Sequence, residues 1–254
     1  MYHFTKINIL LLSLIISGCA TTDYEPIDAD PFESLNRASY GFNSAIDKAI
    51  LKPVAKGYDK ITPTPIKIGI SNFFANLDEI PTIINDILQG KLADAANDSG
   101  RFLINSSLGL AGFIDVATDL GFEQHDEDFG QTLGAWGVGS GPYLVLPFLG
   151  PSTLRDTLGR PVDSYTSIKQ DIDHIPTRNT LYGIELLDLR YRLLAIDSQL
   201  EDALDEYSFV RDAFMMRRNY QVYDGNPPED DDFYEDDCDL EEDDECYDDD
   251  DIID

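Results

Sequence analysis

The spacing of apolar residues constrains this chain more than any other feature. From residue 30 onward no alternation is long enough to build a sheet, while helical spacing recurs. Phe32, Leu35, Ser39, Phe42, Ile46 and Ala49 follow one another at steps of three and four, a single stripe on one helix. A start signal precedes it: Asp30 can cap, Pro31 suits the first helical position, and Glu33 can close a capping box. Pro53 begins a second short helix towards Ile61, and Thr62-Pro63-Thr64-Pro65 breaks it. Ile66 to Leu77 reads as helix, interrupted near Pro81, and resumes from Thr82 to Gln89 with Gly90 as C-cap. Lys91 to Leu108 is a further helix, and Ala111 to Leu120 a short apolar one. Thr180 to Ala203 is a long amphipathic helix that continues or restarts from Tyr207 to Tyr220. The fold class is therefore mainly α.

Between Asp128 and Gly150 the chain carries six glycines, which rules out a regular helix across that span. An irregular glycine-rich hairpin loop near 133–148, able to move as a gate, is the expectation. Its candidate residues are Gly134, Gly137, Gly139, Gly141, Pro142 and Tyr143. Pro151-Ser152 then opens a short helix through Arg155 and Asp156 to Leu158. Arg155-Asp156 reads equally well as a surface ion pair or as the lining of a polar passage.

Before residue 30 the pattern is of another kind. Met1 to Lys6 is weakly basic, and Ile7 to Ile16 is apolar but too short to span a bilayer. Ile16-Ser17-Gly18-Cys19 resembles the bacterial lipobox, in which small residues admit the peptidase and the thiol takes a diacylglycerol. Residues 1–18 are thus a lipoprotein signal peptide, Cys19 the lipidation site, and 19–29 a polar tether. Ala20, where an Asp would favour retention at the inner membrane, points to the outer membrane. Several acyl chains on one Cys anchor stably where one would not.

Charge divides the rest. Residues 224–254 hold 19 acidic residues and no Lys or Arg, and read as a disordered polyacidic tail. Residues 19–223 hold 30 acidic and 17 basic residues. This balance disfavours nucleic acid, whose phosphates demand a basic surface. Cys238 and Cys246 can pair as a disulfide in an oxidising periplasm, and match no zinc spacing.

No catalytic set, metal site or cofactor motif stands out. Gly137-Val138-Gly139-Ser140-Gly141-Pro142 has Pro where a dinucleotide loop needs its last glycine. His125-Asp126-Glu127-Asp128 reads as a solvated acidic turn rather than a metal site. A hydrolase would have to rely on His125 or His174, the two histidines left after processing. The helices around 66–120 either pack a core or lie against acyl chains, and periodicity does not separate the two.

Many short landmarks in order resemble the MlaA (VacJ) family of lipoproteins. They include Asp30-Pro31-Phe32-Glu33, Leu35-Asn36-Arg37, Phe42-Asn43 and Asn72-Phe73-Phe74-Ala75-Asn76-Leu77. Others are Leu88-Gln89-Gly90, Arg101-Phe102-Leu103-Ile104-Asn105-Ser106 and Asp128-Phe129-Gly130-Gln131-Thr132-Leu133-Gly134. The run closes with Gly141-Pro142-Tyr143 and Gly150-Pro151-Ser152. The resemblance covers residues 30–223. It implies a ring-like bundle of amphipathic helices in the inner leaflet of the outer membrane, with a central channel that removes misplaced phospholipids. It also implies trimeric porins as scaffold, a periplasmic lipid-carrier protein as acceptor, and no enzymatic activity. Residues 134–143 with Arg155 and Asp156 then become channel and gate residues. Two features depart from the family: an extra residue before Pro81, and the acidic tail. The tail supports a competing reading, a structural or adhesive envelope lipoprotein.

Overall fold

The computed structural model describes residues 30–228. The leader 1–18, the tether 19–29 with Cys19, and the acidic segment from 229 with Cys238 and Cys246 lie outside the described residues.

Helix dominates. The first rod comprises α1 (Glu33–Ile46), a π-turn (Asp47–Leu51) and α2 (Lys52–Ile61) without a break. Two helices were expected here. Pro53 has no N–H and its ring crowds the carbonyl four residues back. The wide turn, closed by Lys52 N–H to the Asp47 carbonyl, carries the rod past it. The start also differs from expectation. Helix begins at Glu33 with no side-chain cap, because Asp30 is engaged elsewhere: its carboxylate accepts from Phe32 N–H at 3.2 Å, from Asn36 Nδ2 at 2.9 Å, and from the Tyr207 hydroxyl. Glu33 pairs with Arg37 instead of closing a capping box.

α3 (Thr64–Gln89) runs straight through Pro81, so the expected interruption is absent. Gly90, left-handed at φ 82°, ends it as expected, and Lys91 N–H closes back on the Asp86 carbonyl at 2.8 Å. α4 (Leu92–Ser107) returns antiparallel along α3, Asn76 meeting Ser106 and Glu79 meeting Arg101. The expected helix from Ala111 to Leu120 shrinks to α5 (Val116–Asp119). Leu110, Ala111 and Gly112 are all left-handed, which no right-handed helix tolerates. Gly112 is required there by space too, since a Cβ would sit 2.4 Å from that of Asn76.

α6 (Phe129–Ala135) precedes a two-stranded antiparallel hairpin, β1 (Tyr143–Leu146) with β2 (Gly150–Thr153), in register Tyr143 to Thr153 and Leu146 to Gly150. The hairpin thus overlaps only the last part of the expected span 133–148, its strands lying after the glycines at 134, 137, 139 and 141. Gly134 is inside α6, while Gly137, Gly139 and Gly141 form the connecting loop. β2 occupies the residues expected to open a helix. α7 (Leu154–Thr166) starts one step later, capped by Thr153 Oγ1 at 3.1 Å from Asp156 N–H. The expected long helix from Thr180 divides into α8 (Ile175–Leu193), a 3-10 turn and α9 (Asp197–Glu201), followed by α10 (Glu206–Val222).

The distribution of side chains is inverted. Among the described residues, 22 buried side chains are polar or charged and 7 are apolar. The apolar cluster is small: Tyr143, Val145 and Tyr207, flanked by Tyr40, Phe214 and Met215. Meanwhile Leu35, Ile61, Leu103, Leu110, Phe148 and Leu149 are exposed. Leaving a Leu, Ile or Phe in water forgoes about 1.5–3 kcal/mol each. A chain that does so along most of its helices is arranged for an apolar surround. Yet among the described residues no helix is long and apolar enough to cross a membrane.

Candidate functional site: a buried ionic network beside the glycine loop

Asp128 ends an extended segment and caps α6, accepting from Gln131 N–H at 2.8 Å. Arg218 of α10 reaches both its oxygens, at 2.7 and 2.6 Å, and also Asp156 in the first turn of α7 at 2.9 Å. Arg155 Nε meets Asp156 at 3.1 Å. Burial alone would raise the Asp128 carboxyl, but the Arg218 fork outweighs it and holds the group below the ordinary carboxylate range. Arg155 and Asp156 are both buried, so a surface ion pair is excluded.

Two glycines make this meeting possible. A Cβ on Gly130 would stand 2.5 Å from Arg218 Nη2 and from Asp156 Oδ1, and one on Gly159 would stand 2.9 Å from the Gly130 backbone nitrogen. α6 and α7 therefore touch backbone to backbone. Gly134 has the same task, its missing Cβ being taken by Val222 and Arg155. It is a packing residue within a helix rather than part of a loop.

The glycine loop lies directly over the network. Arg155 Nη1 points to the Val138 carbonyl at 3.5 Å, Arg155 N–H bonds the Ser140 carbonyl at 3.1 Å, and Leu154 N–H bonds the Pro142 carbonyl at 3.0 Å. Gly137 and Gly141 hold positive φ, and nothing lies within 4 Å of where a Gly139 Cβ would be. Tyr143 is buried in β1. All eight residues picked out from Gly134 to Asp156 thus share one neighbourhood. Pro161, Ser164 and Tyr165 on the far half of α7, with Gln170 and Asp171 of the 3-10 turn after it, line an open polar concavity of about 720 Å³.

A second network fills the α3–α4 interface. Arg101 bonds Glu79 at 3.0 Å, Thr118 Oγ1 at 3.0 Å, the Phe122 carbonyl at 2.8 Å and Asp115 at 3.2 Å. Burial pushes Glu79 up to about 7 against the pull of Arg101. The His125-to-Asp128 run is not a solvated turn. His125 meets Asp98, Glu127 meets Lys91 and Gln89, and Asp128 meets Arg218. His174 serves a separate end, capping α8 through Thr177.

Sequence reasoning missed Arg218, placed Asp128 in a solvated turn and had Arg101 only within a family landmark, with no role for either. One signal was available: Gly130, Gly134 and Gly159 lie within helical stretches, where a glycine is costly unless backbones must touch.

With ion pairs such as Arg101–Glu79 and Arg218–Asp156 buried and many aliphatic side chains exposed, the fold is of the class of helical proteins with a polar interior and an apolar outer surface. Comparison with known proteins gives the particular group. The family model described as MlaA lipoprotein matches residues 28–221, and the chain belongs to that family. It is 36% identical over 211 residues to the intermembrane phospholipid transport system lipoprotein MlaA of Escherichia coli (strain K12), covering 81% of this chain and 84% of that one. The protein of the same description in Haemophilus influenzae is 33% identical over 241 residues, covering 92% and 96%. A solved structure described as "Structural basis for maintenance of bacterial outer membrane lipid asymmetry" superposes with a TM-score of 0.69 at 34% identity, covering 76% of this chain and 99% of that one.

Proposed function

We propose that this protein is an outer-membrane lipoprotein that passes mislocalised phospholipids from the outer leaflet towards a periplasmic lipid carrier, and so maintains lipid asymmetry. One observation carries the reading: charged side chains inside and aliphatic ones outside. A phospholipid needs an apolar route for its acyl chains and a polar one for its headgroup, and this arrangement supplies both surfaces in one small body. The relatives' descriptions as phospholipid-transport lipoproteins support the same reading. The helices lie in the inner leaflet, and Cys19 adds a second attachment. The polar path runs by Arg155, Asp156 and Arg218, with Gly137 to Pro142 as its movable cover. Trimeric porins serve as scaffold. The protein acts as a conduit and not as an enzyme.

The test has two parts. Protein purified from membranes in mild detergent is expected to carry phospholipid, and its absence overturns the transport reading. A Gly139→Pro variant at normal protein level is expected to raise outer-leaflet phospholipid in cells. Unchanged asymmetry would remove the loop from the path.

A further inference from the structure

Asp86 faces α4 from the inner side of α3, with 0% of its surface exposed. No N–H or O–H group donates to either of its carboxylate oxygens. Its side-chain partner is Asp98 of α4, equally buried and also an acceptor. Asp98 takes Asn97 Nδ2 at 2.9 Å, but Asp86, ionised and without donors, would bear its desolvation uncompensated, and two buried carboxylates in contact repel when both are charged. A single proton between them resolves both difficulties. Beyond Asp98 stands His125, its Nδ1 3.0 and 3.1 Å from the two Asp98 oxygens and its ring partly exposed.

The surrounding charges are committed elsewhere. On α3, Glu79 is bonded by Arg101. On α4, Arg101 is taken by Glu79 and Asp115, and Asp94 acts only through its field on His125. On the segment leading into α6, Glu127 takes Lys91 at 2.9 Å and Gln89 at 2.7 Å. On α7, Asp163 accepts from Phe129 N–H at 2.7 Å. Among the described residues no three His, Cys, Asp or Glu side chains are placed to hold a metal ion. The cation that fits this space is a proton.

We infer that Asp86, Asp98 and His125 form a proton-binding site that fastens α3 to α4, with Asp86 as a carboxylic acid donating to Asp98 and His125 as the solvent-facing end. Burial pushes Asp86 up to about 7. Burial would lower His125, but its contact with Asp98 outweighs this and raises it. Both groups hold protons more tightly folded than unfolded. Their stabilisation is complete below the unfolded carboxyl and imidazole values and is lost as pH rises through the folded ones. The α3–α4 pair is therefore tightest in acid and loosens through neutrality.

The experiment uses the purified full-length lipoprotein in mild detergent. Infrared spectra near neutral pH are expected to show carboxylic-acid carbonyl absorption, to which Glu79 also contributes, and Asp86→Asn is expected to remove one carboxyl group's share of it. The same variant should keep wild-type stability in mild acid and take up about one proton fewer on folding between about pH 5 and 8. An unchanged band, or unchanged proton uptake, overturns the inference. If Asp86→Asn does not fold, Asp98→Asn is read in its place. Its amide can donate to Asp86, so the same share of the band should be lost, and a band of undiminished intensity overturns the inference equally.

Discussion

Asn36 and Asn43, two helical turns apart on α1, each lay a side-chain amide along the β1 edge of the hairpin. Asn36 donates to the Tyr143 carbonyl at 2.9 Å and accepts from Val145 N–H at 2.8 Å. Asn43 does the same with the Leu146 carbonyl at 2.9 Å and Phe148 N–H at 2.8 Å. The helix thus supplies the backbone partners that a third strand would have supplied. Asn36→Ala leaves two buried backbone groups unpaired, at about 1–3 kcal/mol each. Asn43→Ala, nearer solvent, should cost less. Denaturant midpoints in detergent measure both, and equal losses would show that burial of the clamp does not matter.

Arg218 balances Asp128 and Asp156 together. Arg218→Ala is expected to cost about 3 kcal/mol, because, among the described residues, it takes the only ion-paired cation from Asp128 and leaves the buried Asp156 with Arg155 alone. Asp156→Asn keeps an acceptor for Arg218 and should cost less. Thermal unfolding compares them, and a mild Arg218→Ala would mean that water enters the site freely.

The glycines should separate by role. Gly159→Ala drives a methyl group onto the Gly130 backbone and should cost about 1–3 kcal/mol. Gly137→Ala must hold φ near 86° and should cost about 1–2 kcal/mol. Gly139→Ala meets nothing and should be neutral in the same unfolding measurement.

Asp115 contributes to the chain's loss of stability in acid. Burial would raise it, but bonds from Thr118 and Asn105, with the Arg101 charge, hold it at about 2. A depressed carboxyl stabilises above its unfolded value near 4 and loses that stabilisation as pH falls through 2. Asp115→Asn should therefore lower stability at neutral pH while flattening the fall in acid. A parallel pH profile would exclude Asp115 as its source.

Membrane attachment should survive loss of the anchor. A Cys19→Ala form exported by another signal peptide is expected to remain with membranes through its exposed apolar faces. Adding Phe148→Asp and Leu103→Lys should release a large share of it in cell fractionation. A wholly soluble Cys19→Ala form would refute embedding of the helices.

The helical class was legible because periodicity and stop signals are local: Gly90 closes α3 by a property of its own backbone. Facing was not legible. Ile66 and Ile68 lie on nearly opposite sides of α3 and both are exposed, and an apolar residue carries no mark of what it meets. Asp128 and Arg218 stand 90 residues apart, so only the fold joins them. Ala111 looked helical because it opens an apolar run, while the left-handed backbone from Leu110 through Gly112 decides its conformation. The gate residues were drawn to one place by the glycine count. Gly134 was assigned to a loop because helix-packing glycines and loop glycines look alike in a sequence.

The π-turn at Asp47–Leu51 makes the first rod sensitive to arithmetic. Each residue in a helix turns the chain by about 100°. Asn36 and Asn43 must look towards the hairpin while Asp47 looks towards Arg190, which it grips at 2.6 and 3.0 Å. Removing one residue from the π-turn would let a regular helix form with the residues after it still in phase, whereas removing one from the regular turns between Asn43 and Asp47 would swing Asp47 about a quarter-turn away from Arg190. In this stretch, the number of residues matters more than which residues they are.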